Sequence, residues 1–408
     1  MQRLIYHVDV NSAFLSWEAT RRVSRGESDL RLIPSAITGD PQRRHGVILA
    51  KSIPAKMYGV RTGEPLVSAL RKCPQLVLAL PDHELYRQMS ARFVEILREF
   101  APVVEQVSVD ECYLDMSGME RIYRDPCEAA YLIRDAIRTR LGFTVNVGVA
   151  RCKLLAKMAS DFEKPDRVHT LFPEEIPEKL WPLPVRELYT VGRATAEKLE
   201  VQGIKTIGML AGLDLSLLRA IVGDKQGIQL HAFANGRDDS PVCAQGEQAK
   251  GYSNSVTLSE SITTFEQAHS ALLSLIDRSA SRMRADGARA FCIGVHIRTD
   301  EFVDKSHQRK LEEATDITAE ILDVAERLLR ELWDRRVPLR LIGISLTMVT
   351  REHSEQISLF PDERKERRRR VDQAVDTLRN RFGRATIHRA TQMNMLSDEN
   401  EDEDAENE

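Results

Sequence analysis

The sequence contains no apolar run that approaches the roughly 20 residues of a membrane-spanning helix, which argues against an integral membrane protein. Its six cysteines are scattered, and no two of them form a C-x-x-C pair. This spacing argues against a structural zinc site and predicts free thiols in a reducing cytoplasm. The chain begins directly with a strand pattern, so we expect no signal peptide. Its 408 residues, of ordinary globular composition, allow about two to four domains.

A net excess of positive charge is also missing, because the formal net charge is −4. The negative charge is concentrated in the last eleven residues, 398–408, which contain eight acidic residues and no basic residue. Without these eight charges, residues 1–397 carry +4, so the body of the chain is mildly basic. We expect the acidic tail to be disordered, because it has too little apolar surface to form a core.

Two adjacent acids, Asp110 and Glu111, lie at the centre of the most informative segment. β-Branched residues alternate through residues 103–107, and a second apolar run covers residues 112–116 before Ser117 and Gly118. This pattern predicts a hairpin with the two acids at its tip. A turn that only keeps the two carboxylates in water is the alternative interpretation.

A single acid, Asp9, interrupts the apolar strand pattern of residues 3–11. A buried carboxylate is unfavourable unless it is paired or binds a metal. If this strand lies beside the hairpin, Asp9, Asp110 and Glu111 converge. Three such carboxylates can hold two divalent cations about 3.5–4 Å apart, the arrangement for in-line phosphoryl transfer. Mg²⁺ fits, because it prefers oxygen ligands and shares them with substrate phosphates.

Four motifs, taken together and in this order, resemble the Y-family DNA polymerases of the DinB type. They are HVDVNSAF at 7–14, KSIPAKMYGV at 51–60, SVDE at 108–111 and ASDFEKP at 159–165. The resemblance covers about residues 1–350. It implies a low-fidelity translesion polymerase that adds deoxynucleotides to a primer 3′ end. It further implies primer-template DNA and deoxynucleoside triphosphates as substrates, two Mg²⁺ ions per active site with Mn²⁺ as a substitute, a sliding clamp as partner, and a monomer at the nucleoid.

The same resemblance implies an α+β right-hand architecture. The implied domains are a ferredoxin-like palm (1–11 and 80–172), small fingers (12–79), a helix-hairpin-helix thumb (173–241), a linker (242–250), a β-α-β-β-α-β little finger (251–350), a segment with a clamp-binding motif and a basic helix (351–397), and the acidic tail (398–408). We also expect Ser12 to cap the first helix and residues 77–80 to return to the palm sheet.

The resemblance assigns the three carboxylates as catalytic metal ligands. Asp9, Asp110 and Glu111 would bind the two ions, with the carbonyl of Val10 as a further ligand. The protein itself would mainly position the reacting groups.

The implied nucleotide-binding residues are Phe14, Lys56 and Lys164. Phe14 stands five residues after Asp9, where the family has the aromatic steric gate that excludes a 2′-hydroxyl. The two lysines stand at the family's triphosphate contacts. The usual Tyr-x-x-Arg is Ile53-Pro54-Ala55-Lys56 here, a lysine also seen in the UmuC branch. The alternatives are a core phenylalanine and a surface lysine.

Predicted DNA contacts lie in the two C-terminal domains. In the thumb, Gly192 and Arg193 belong to a hairpin that would present backbone N–H groups to a phosphate. Thr190 stands where such hairpins usually have a glycine, and an ordinary αα-hairpin is the alternative. In the little finger, basic residues would share one sheet face, although solvated strand charges remain the alternative. They are Arg298, Lys305, Arg309, Lys310 and Arg340.

The segment after residue 350 contains Gln356, Leu359 and Phe360, which resemble the Q-x-x-L-F peptide that docks into a bacterial sliding clamp. Two apolar anchors without periodic partners suit an external pocket, and a chance match is the alternative.

Two other functions remain open at this point. A nucleotidyl cyclase has a similar palm with paired metal carboxylates, but the thumb hairpin and the little finger argue against it. A catalytically inactive, clamp-bound adaptor is the second alternative, and the retained carboxylates and Lys164 argue against that one.

Overall fold

The computed structural model describes residues 3–39, 46–119, 121–244, 248–352, 363–383 and 386–387. The described residues form two compact units, the first ending at residue 244 and the second beginning at residue 248, within the predicted linker. Across these ranges, no helix combines the length and the apolar character needed to cross a bilayer.

The strands of the first unit form two sheets. In chain order they are β1 (Ile5–Val10), β2 (Ser35–Thr38), β3 (Ile48–Lys51), β4 (Val77–Ala79), β5 (Val103–Gln106), β6 (Glu111–Asp115), β7 (Val145–Ala150) and β8 (Val168–Leu171). The larger sheet has the order β5-β6-β1-β7-β8, so β1 is central. It runs antiparallel to both neighbours, and every one of its residues is buried. The predicted hairpin is therefore present as β5 and β6.

Helices cover both faces of this sheet. The helices of the first unit are, in chain order, α1 (Ala13–Ser24), α2 (Ile53–Met57), α3 (Leu66–Lys72), α4 (His83–Phe100), α5 (Glu128–Leu141), α6 (Lys153–Ser160), α7 (Arg193–Val201), α8 (Ile207–Ala211), α9 (Leu215–Val222) and α10 (Asp224–Ala234), of which α2 and α3 pack with the smaller sheet. Alternate strand residues point to opposite faces. Tyr6, Val8 and Val10 share a core with α1, α4 and α5, whereas Ile5 shares a second core with α6. Asp9, in phase with Ile5, therefore faces the α6 side.

The smaller sheet, of order β3-β2-β4, belongs to the predicted fingers. The prediction that residues 77–80 return to the palm sheet is wrong, because β4 pairs in parallel with β2. Strand β2, all of whose residues are buried, is the hydrogen-bonding partner of β4 inside the fingers. Ser12 is the N-cap residue of α1, as predicted. Its backbone is left-handed, with φ of 50°, and its side chain makes no capping hydrogen bond.

The predicted thumb consists of short helices. Residues 173–187 contain single 3-10 and π turns, and α7 to α10 follow. Leu199, Leu218 and Leu230 of these helices lie in the same buried core as Leu154 and Leu155 of α6. This shared core makes the thumb helices part of the first unit.

The second unit has the predicted β-α-β-β-α-β order. Its elements are β9 (Gly251–Ile262), α11 (Phe265–Ala285), β10 (Arg289–Thr299), β11 (Asp304–Thr315), α12 (Thr318–Leu332), β12 (Leu339–Thr350) and α13 (Glu363–Phe382). The sheet order is β11-β10-β12-β9, and α11 and α12 pack on one face of it. The other face is open among the described residues of this unit.

Ion pairs, and few apolar contacts, hold α13 against the rest of this unit. Asp372 accepts the N–H of Thr318 at 2.8 Å, at the start of α12, and lies 3.7 Å from Arg284. Asp376 also pairs with Arg284, at 2.6 Å, and Arg369 pairs with Asp316 at 3.2 Å. Because most of these groups are buried, each pair compensates charges that would otherwise be unfavourable there.

Candidate active site

Two of the predicted carboxylates face each other across neighbouring strands. Asp9 of β1 lies directly opposite Glu111 of β6 in the antiparallel register. The N–H of Val10 donates to the carbonyl of Asp110 at 3.0 Å, which ties the hairpin tip to the end of β1. The Asp110 carboxylate accepts a hydrogen bond of 2.6 Å from Ser108. The structure thus places all three acids at one end of the central strand pair.

Two lysines approach these carboxylates from α6 and from the segment after it. Lys157 Nζ lies 2.8 Å from Glu111 Oε1 and 3.4 Å from Asp9 Oδ2. Lys164 Nζ lies 2.9 Å from Asp9 Oδ1 and 2.9 Å from Asp161. Lys164 was predicted, whereas Lys157 was missed. Its position on a helix that follows a buried strand is a signal that the sequence offered.

Burial and ion pairing shift the pKa values of this cluster in opposite directions. Burial raises the pKa of Asp9 to about 6, against the opposing charge of Lys164. The pKa of Glu111 is held below its usual range by His7, whose ring nitrogen is 3.8 Å away, and by Lys157. Burial also opposes the charge of Lys157, but its hydrogen bond to Glu111 and the charge of Asp9 keep its pKa above the ordinary value. The two ammonium groups therefore neutralise the carboxylates.

Behind the carboxylates lies a fully buried histidine that the sequence reasoning missed. His7 Nδ1 is 2.8 Å from Ser160 Oγ, and the ring lies against Tyr113 with centroids 4.7 Å apart. Burial lowers the pKa of His7, which favours the neutral form of the ring. His7 stands two residues before Asp9 in β1. Because residues two apart in a strand face the same side, the sequence could have predicted that His7 lies beside Asp9.

A third missed residue, Asn146, organises the segment that contains Lys164. Its side-chain N–H groups donate to the carbonyls of Ser160 at 3.0 Å and Glu163 at 2.7 Å, and its oxygen accepts from Asn11 at 3.1 Å. The Asn11 oxygen in turn accepts the N–H of Asp166 at 2.9 Å. Buried amides that use both donor and acceptor groups fix the backbone on either side of Lys164.

A cavity of about 260 Å³ opens beside the carboxylates. Its lining comes from the end of β1, the start of α1, the last three residues of β3, the turn at Thr62 and the hairpin tip. The lining residues are Asp9, Val10, Ser12, Ala13, Phe14, Leu49, Ala50, Lys51, Thr62 and Asp110. An apolar wall, a lysine and two acids therefore meet at one small opening.

Phe14 is both a packing residue and part of this wall. Its ring stacks on Tyr86 of α4, with centroids 4.5 Å apart and planes 8° from parallel. The remaining surface of the ring lines the cavity. The stacking fixes the position of the ring, so a sugar placed in the cavity would meet a rigid aromatic surface.

The structure places Lys56 outside the cavity. Lys56 is exposed on the short helix α2, and Ile53, at the start of that helix, is also exposed. Lys51, which the sequence reasoning missed, lines the cavity and donates to the hydroxyl of Thr62 at 3.2 Å. Burial, followed by the charge of nearby Lys56, lowers the pKa of Lys51.

Within the described ranges, no three His, Cys, Asp or Glu side chains stand ready to hold a metal ion. The local reason is that Lys157 bridges Asp9 and Glu111, while Asp110 bonds to Ser108. The donor groups are nevertheless all oxygens, the type that hard divalent cations prefer. Asp9, Val10 and Asp110 also line one cavity. The donor chemistry therefore fits a divalent cation.

Three family models match the chain. The impB/mucB/samB family model matches residues 8–161, the C-terminal domain model of the same family matches residues 249–359, and a model of the DNA polymerase-iota thumb domain matches residues 186–238. The DNA polymerase IV of Clostridium acetobutylicum is 41% identical over 96% of this chain and 98% of its own length. This chain belongs to the DNA polymerase IV group of the Y-family DNA polymerases.

Other comparisons agree with this assignment. The DNA polymerase IV of Clostridium kluyveri is 36% identical over 95% of this chain and 97% of its own length, and that of Alkaliphilus oremlandii is 35% identical over 96% and 99%. A solved Dbh–Dpo4 Y-family polymerase chimera superposes with a TM-score of 0.73, covering 86% of this chain and all of the chimera at 24% identity, which shows the same fold. The predicted α+β polymerase fold is confirmed.

Family membership decides among the three functions that the sequence left open. The chain is a DNA-directed DNA polymerase, acting on primer-template DNA and deoxynucleoside triphosphates, and neither a cyclase nor an inactive adaptor. Y-family DNA polymerases depend on divalent metal ions.

The Y-family thumb hairpin of this chain has a strained backbone at the position that the sequence marked as unusual. Thr190 has φ of 74°, in the left-handed region that favours glycine, and Gly192 is the N-cap of α7. Arg193 is exposed and pairs only with Glu197, at 2.7 Å, among the described residues. A second hairpin joins α9 to α10 at Gly223, with φ of 91°.

In the little finger, the predicted basic group is divided between the two sheet faces. Arg298 and Lys310 share the face opposite the helices. Lys310 of β11 lies across from Cys292 of β10, and Cys292 and Arg298 are an even number of residues apart on β10, so their side chains point to the same face. Lys305 and Arg309 lie in the other phase, and Arg309 pairs with Glu331 of α12 at 2.8 Å. The expectation of one shared face is wrong for these two residues, because one step along a strand reverses the side-chain direction.

The structure describes the predicted DNA contact at Arg340 but not the predicted clamp-binding residues. Arg340 lies at an irregularity of β12 and its guanidinium stacks over Phe302, 4.9 Å from the ring centroid. Gln356, Leu359 and Phe360, predicted to bind the clamp, lie outside the described residues, as does the acidic tail 398–408.

Proposed function

We propose that this polymerase is a low-fidelity translesion enzyme whose chemical step takes place at Asp9, Asp110 and Glu111. The observation that carries the proposal is the cross-strand pair of Asp9 and Glu111, which stands beside Asp110 at the mouth of the Phe14-lined cavity. No other group of described acids combines two neighbouring strands of the central sheet with such a cavity.

Two Mg²⁺ ions, or Mn²⁺ in their place, would be held by Asp9, Asp110, Glu111 and the carbonyl of Val10. When bound, such ions make the primer hydroxyl a better nucleophile and neutralise charge that develops on the phosphates. The oxygen-only donor set supports this choice of metal over zinc, which favours nitrogen and sulfur ligands.

The residues of the chain itself hold and orient the substrates. Lys157 and Lys164 neutralise the carboxylates in the structure and would exchange this partner for phosphate oxygens when a nucleotide enters. Asn146 keeps the backbone beside Lys164 in place for this exchange. Ser12 and Ala13, at the N-terminus of α1, line the cavity, and a helix N-terminus favours a negative phosphate.

Phe14 would exclude ribonucleotides. Because Tyr86 stacks parallel to this ring, the ring is held in a fixed position, where a 2′-hydroxyl would meet it. The core packing of Phe14 is thus what would let it act as a gate. The steric-gate interpretation and the core-residue interpretation are therefore compatible.

The other proposed contacts lie away from the chemistry. The hairpin at Gly192 and Arg193 would bind a backbone phosphate without reading bases, and Arg298, Lys310 and Arg340 would hold the DNA at the little finger. The domain division given by the resemblance is retained.

Beyond the described strands, Gln356, Leu359 and Phe360 would dock a sliding clamp, which raises the effective concentration of the primer end. We further propose that the chain acts as a monomer on DNA of the nucleoid.

The decisive experiment is single-nucleotide primer extension by the Asp110→Asn variant. We expect incorporation to fall on the order of a thousandfold, because the side chain keeps its size but loses the negative charge that a cation requires. Primer-template binding should remain unchanged. Asp135→Asn, a change of the same kind at an exposed acid of α5, is the control and should extend normally. Incorporation by the Asp110 variant above a few per cent of wild type would contradict the metal assignment.

A further inference from the structure

Lys51 is directed into the cavity by the alternation of β3. Ile48 and Ala50 are buried on the inner side of this strand, whereas Leu49 and Lys51 are in the opposite phase. Both outward residues belong to the cavity lining, as does Ala50 between them, together with Asp9, Phe14 and Asp110. Lys51 is therefore the cation that β3 contributes to the cavity.

Unlike the other lysines near the site, Lys51 has no carboxylate partner. Lys157 and Lys164 both form ion pairs with Asp9. Lys51 bonds instead to the neutral hydroxyl of Thr62 at 3.2 Å, and among the described residues no acid lies within ion-pair distance of it. A half-buried ammonium that bonds only to a hydroxyl retains most of its capacity to bind an anion.

The position also compensates for two changes in the neighbouring motif. Where the family pattern has Tyr-x-x-Arg, this chain has Ile53 and Lys56, and the structure exposes both of these side chains outside the cavity lining. The side of the cavity formed by the fingers therefore lacks the donors that the family pattern would supply, and Lys51 is the cation that this side presents in their place.

We propose that Lys51 binds the triphosphate of the incoming nucleotide and takes over the contact predicted for Lys56. The proposal rests on the proposed function of the cavity as the nucleotide site. An ammonium is a compact, hydrated point charge with three donors and no acceptor, which suits phosphate oxygens and does not discriminate among the four bases. Thr62 would hold the lysine side chain in the direction of the cavity when no nucleotide is present.

The test compares Lys51→Met, which keeps the length of the side chain but removes the charge, with Lys51→Arg, which keeps the charge. Single-nucleotide extension would be measured for all four deoxynucleoside triphosphates. We expect Lys51→Met to raise KM about tenfold or more, the effect of losing one charge-assisted hydrogen bond. The factor should be the same for each base, with kcat within about threefold of wild type. Lys51→Arg should remain near wild type.

Lys56→Met is the matched control, because Lys56 is the neighbouring cation outside the cavity. It should change KM less than about threefold. A larger effect of Lys56→Met than of Lys51→Met would overturn the proposal, as would no effect of Lys51→Met. A loss that depends on the base would show that Lys51 contacts the nascent base pair, which also overturns it.

Equilibrium binding of a deoxynucleoside triphosphate to a complex with a dideoxy-terminated primer gives a readout independent of chemistry. Binding should weaken in Lys51→Met by the same factor as KM rises, and an unchanged binding constant would count against the proposal. If the proposed function itself were wrong, the Asp110→Asn variant would extend primers as fast as the wild type. A failure confined to Lys51→Met would leave the carboxylate assignment intact.

Discussion

Substituting Gly148 tests whether the contact between α6 and the central sheet sets the position of Lys157. Gly148 lies on β7, directly beside His7 of β1 in the register. A Cβ at this position would lie 2.0 Å from the carbonyl oxygen of Ala156 and 2.6 Å from the N–H nitrogen of Ser160. Both neighbours are backbone atoms of α6, so a rotamer change cannot relieve the overlap.

The expected magnitude follows from this distance. To restore an ordinary contact of 3.4 Å, α6 must move away from β7 by more than an ångström. Overpacking of this kind costs about 1–3 kcal/mol, and occasionally more. For a unit of this size, that corresponds to a fall in Tm of roughly 2–12 °C. Since α6 carries Lys157, the hydrogen bond to Glu111 would also be lost.

Activity should fall further than stability alone predicts. A displacement of about 1 Å in a positioning group can cost roughly a hundredfold in rate. We therefore expect Gly148→Ala to fold at 25 °C, as judged by circular dichroism and thermal melting, yet to extend primers about a hundredfold more slowly in single-turnover assays.

Gly212→Ala is the matched control. Its added Cβ would meet only the carbonyl oxygen of Gly208, at an ordinary 3.7 Å, and its φ is not in the left-handed region. This variant should keep its Tm and its extension rate. If Gly148→Ala also kept both, the close packing of α6 on β7 would not be what positions Lys157, and the reasoning would be refuted.

Two further predictions concern the gate and the clamp. Phe14→Ala should raise ribonucleotide relative to deoxyribonucleotide incorporation about tenfold or more, because the cavity gains room for a 2′-hydroxyl. Phe100→Ala, a partly buried phenylalanine outside the cavity lining, should not, and equal discrimination in both variants would make Phe14 a core residue only. Leu359→Ala with Phe360→Ala should abolish stimulation by a loaded clamp and leave extension of a short primer unchanged. The exposed pair Val371→Ala with Leu378→Ala is the control, and persisting stimulation would place the clamp contact elsewhere.

The sequence anticipated the elements that local patterns determine. The hairpin before and after Asp110 and the strand around Asp9 follow from hydrophobic period and turn residues, and the β-α-β-β-α-β order of the second unit was implied by the family resemblance. The structure contains each of them. At Thr190, the missing glycine marked a position where the backbone does adopt a left-handed conformation, with φ of 74°.

Predictions failed where pairing partners decided the outcome. Strand β4 has an apolar pattern that suits either sheet, and only the presence of buried β2 assigns it to the fingers. Lys305 and Arg309 are as basic as Lys310, but the register of β11 on β10 turns them to the helix-covered face. Neither outcome can be read from composition, because a shift of one residue reverses the face of every side chain in a strand.

The sequence by itself determined which residues are chemically capable of the reaction. It presented the acids at Asp9, Asp110 and Glu111, the aromatic ring at Phe14 and the motif order of the family. These features depend on side-chain type and on spacing within single segments, and both can be read from the sequence without knowledge of the fold.

Only the tertiary structure decided which cations serve those acids. Lys157 reaches Asp9 and Glu111 because α6 packs on the face of β1 that carries them, across 148 and 46 residues of chain. Lys51 of β3, rather than Lys56 of α2, lines the cavity. A lysine has the same chemistry at every position in the sequence, and its role is set by the electric field and the cavity to which the folded backbone brings it.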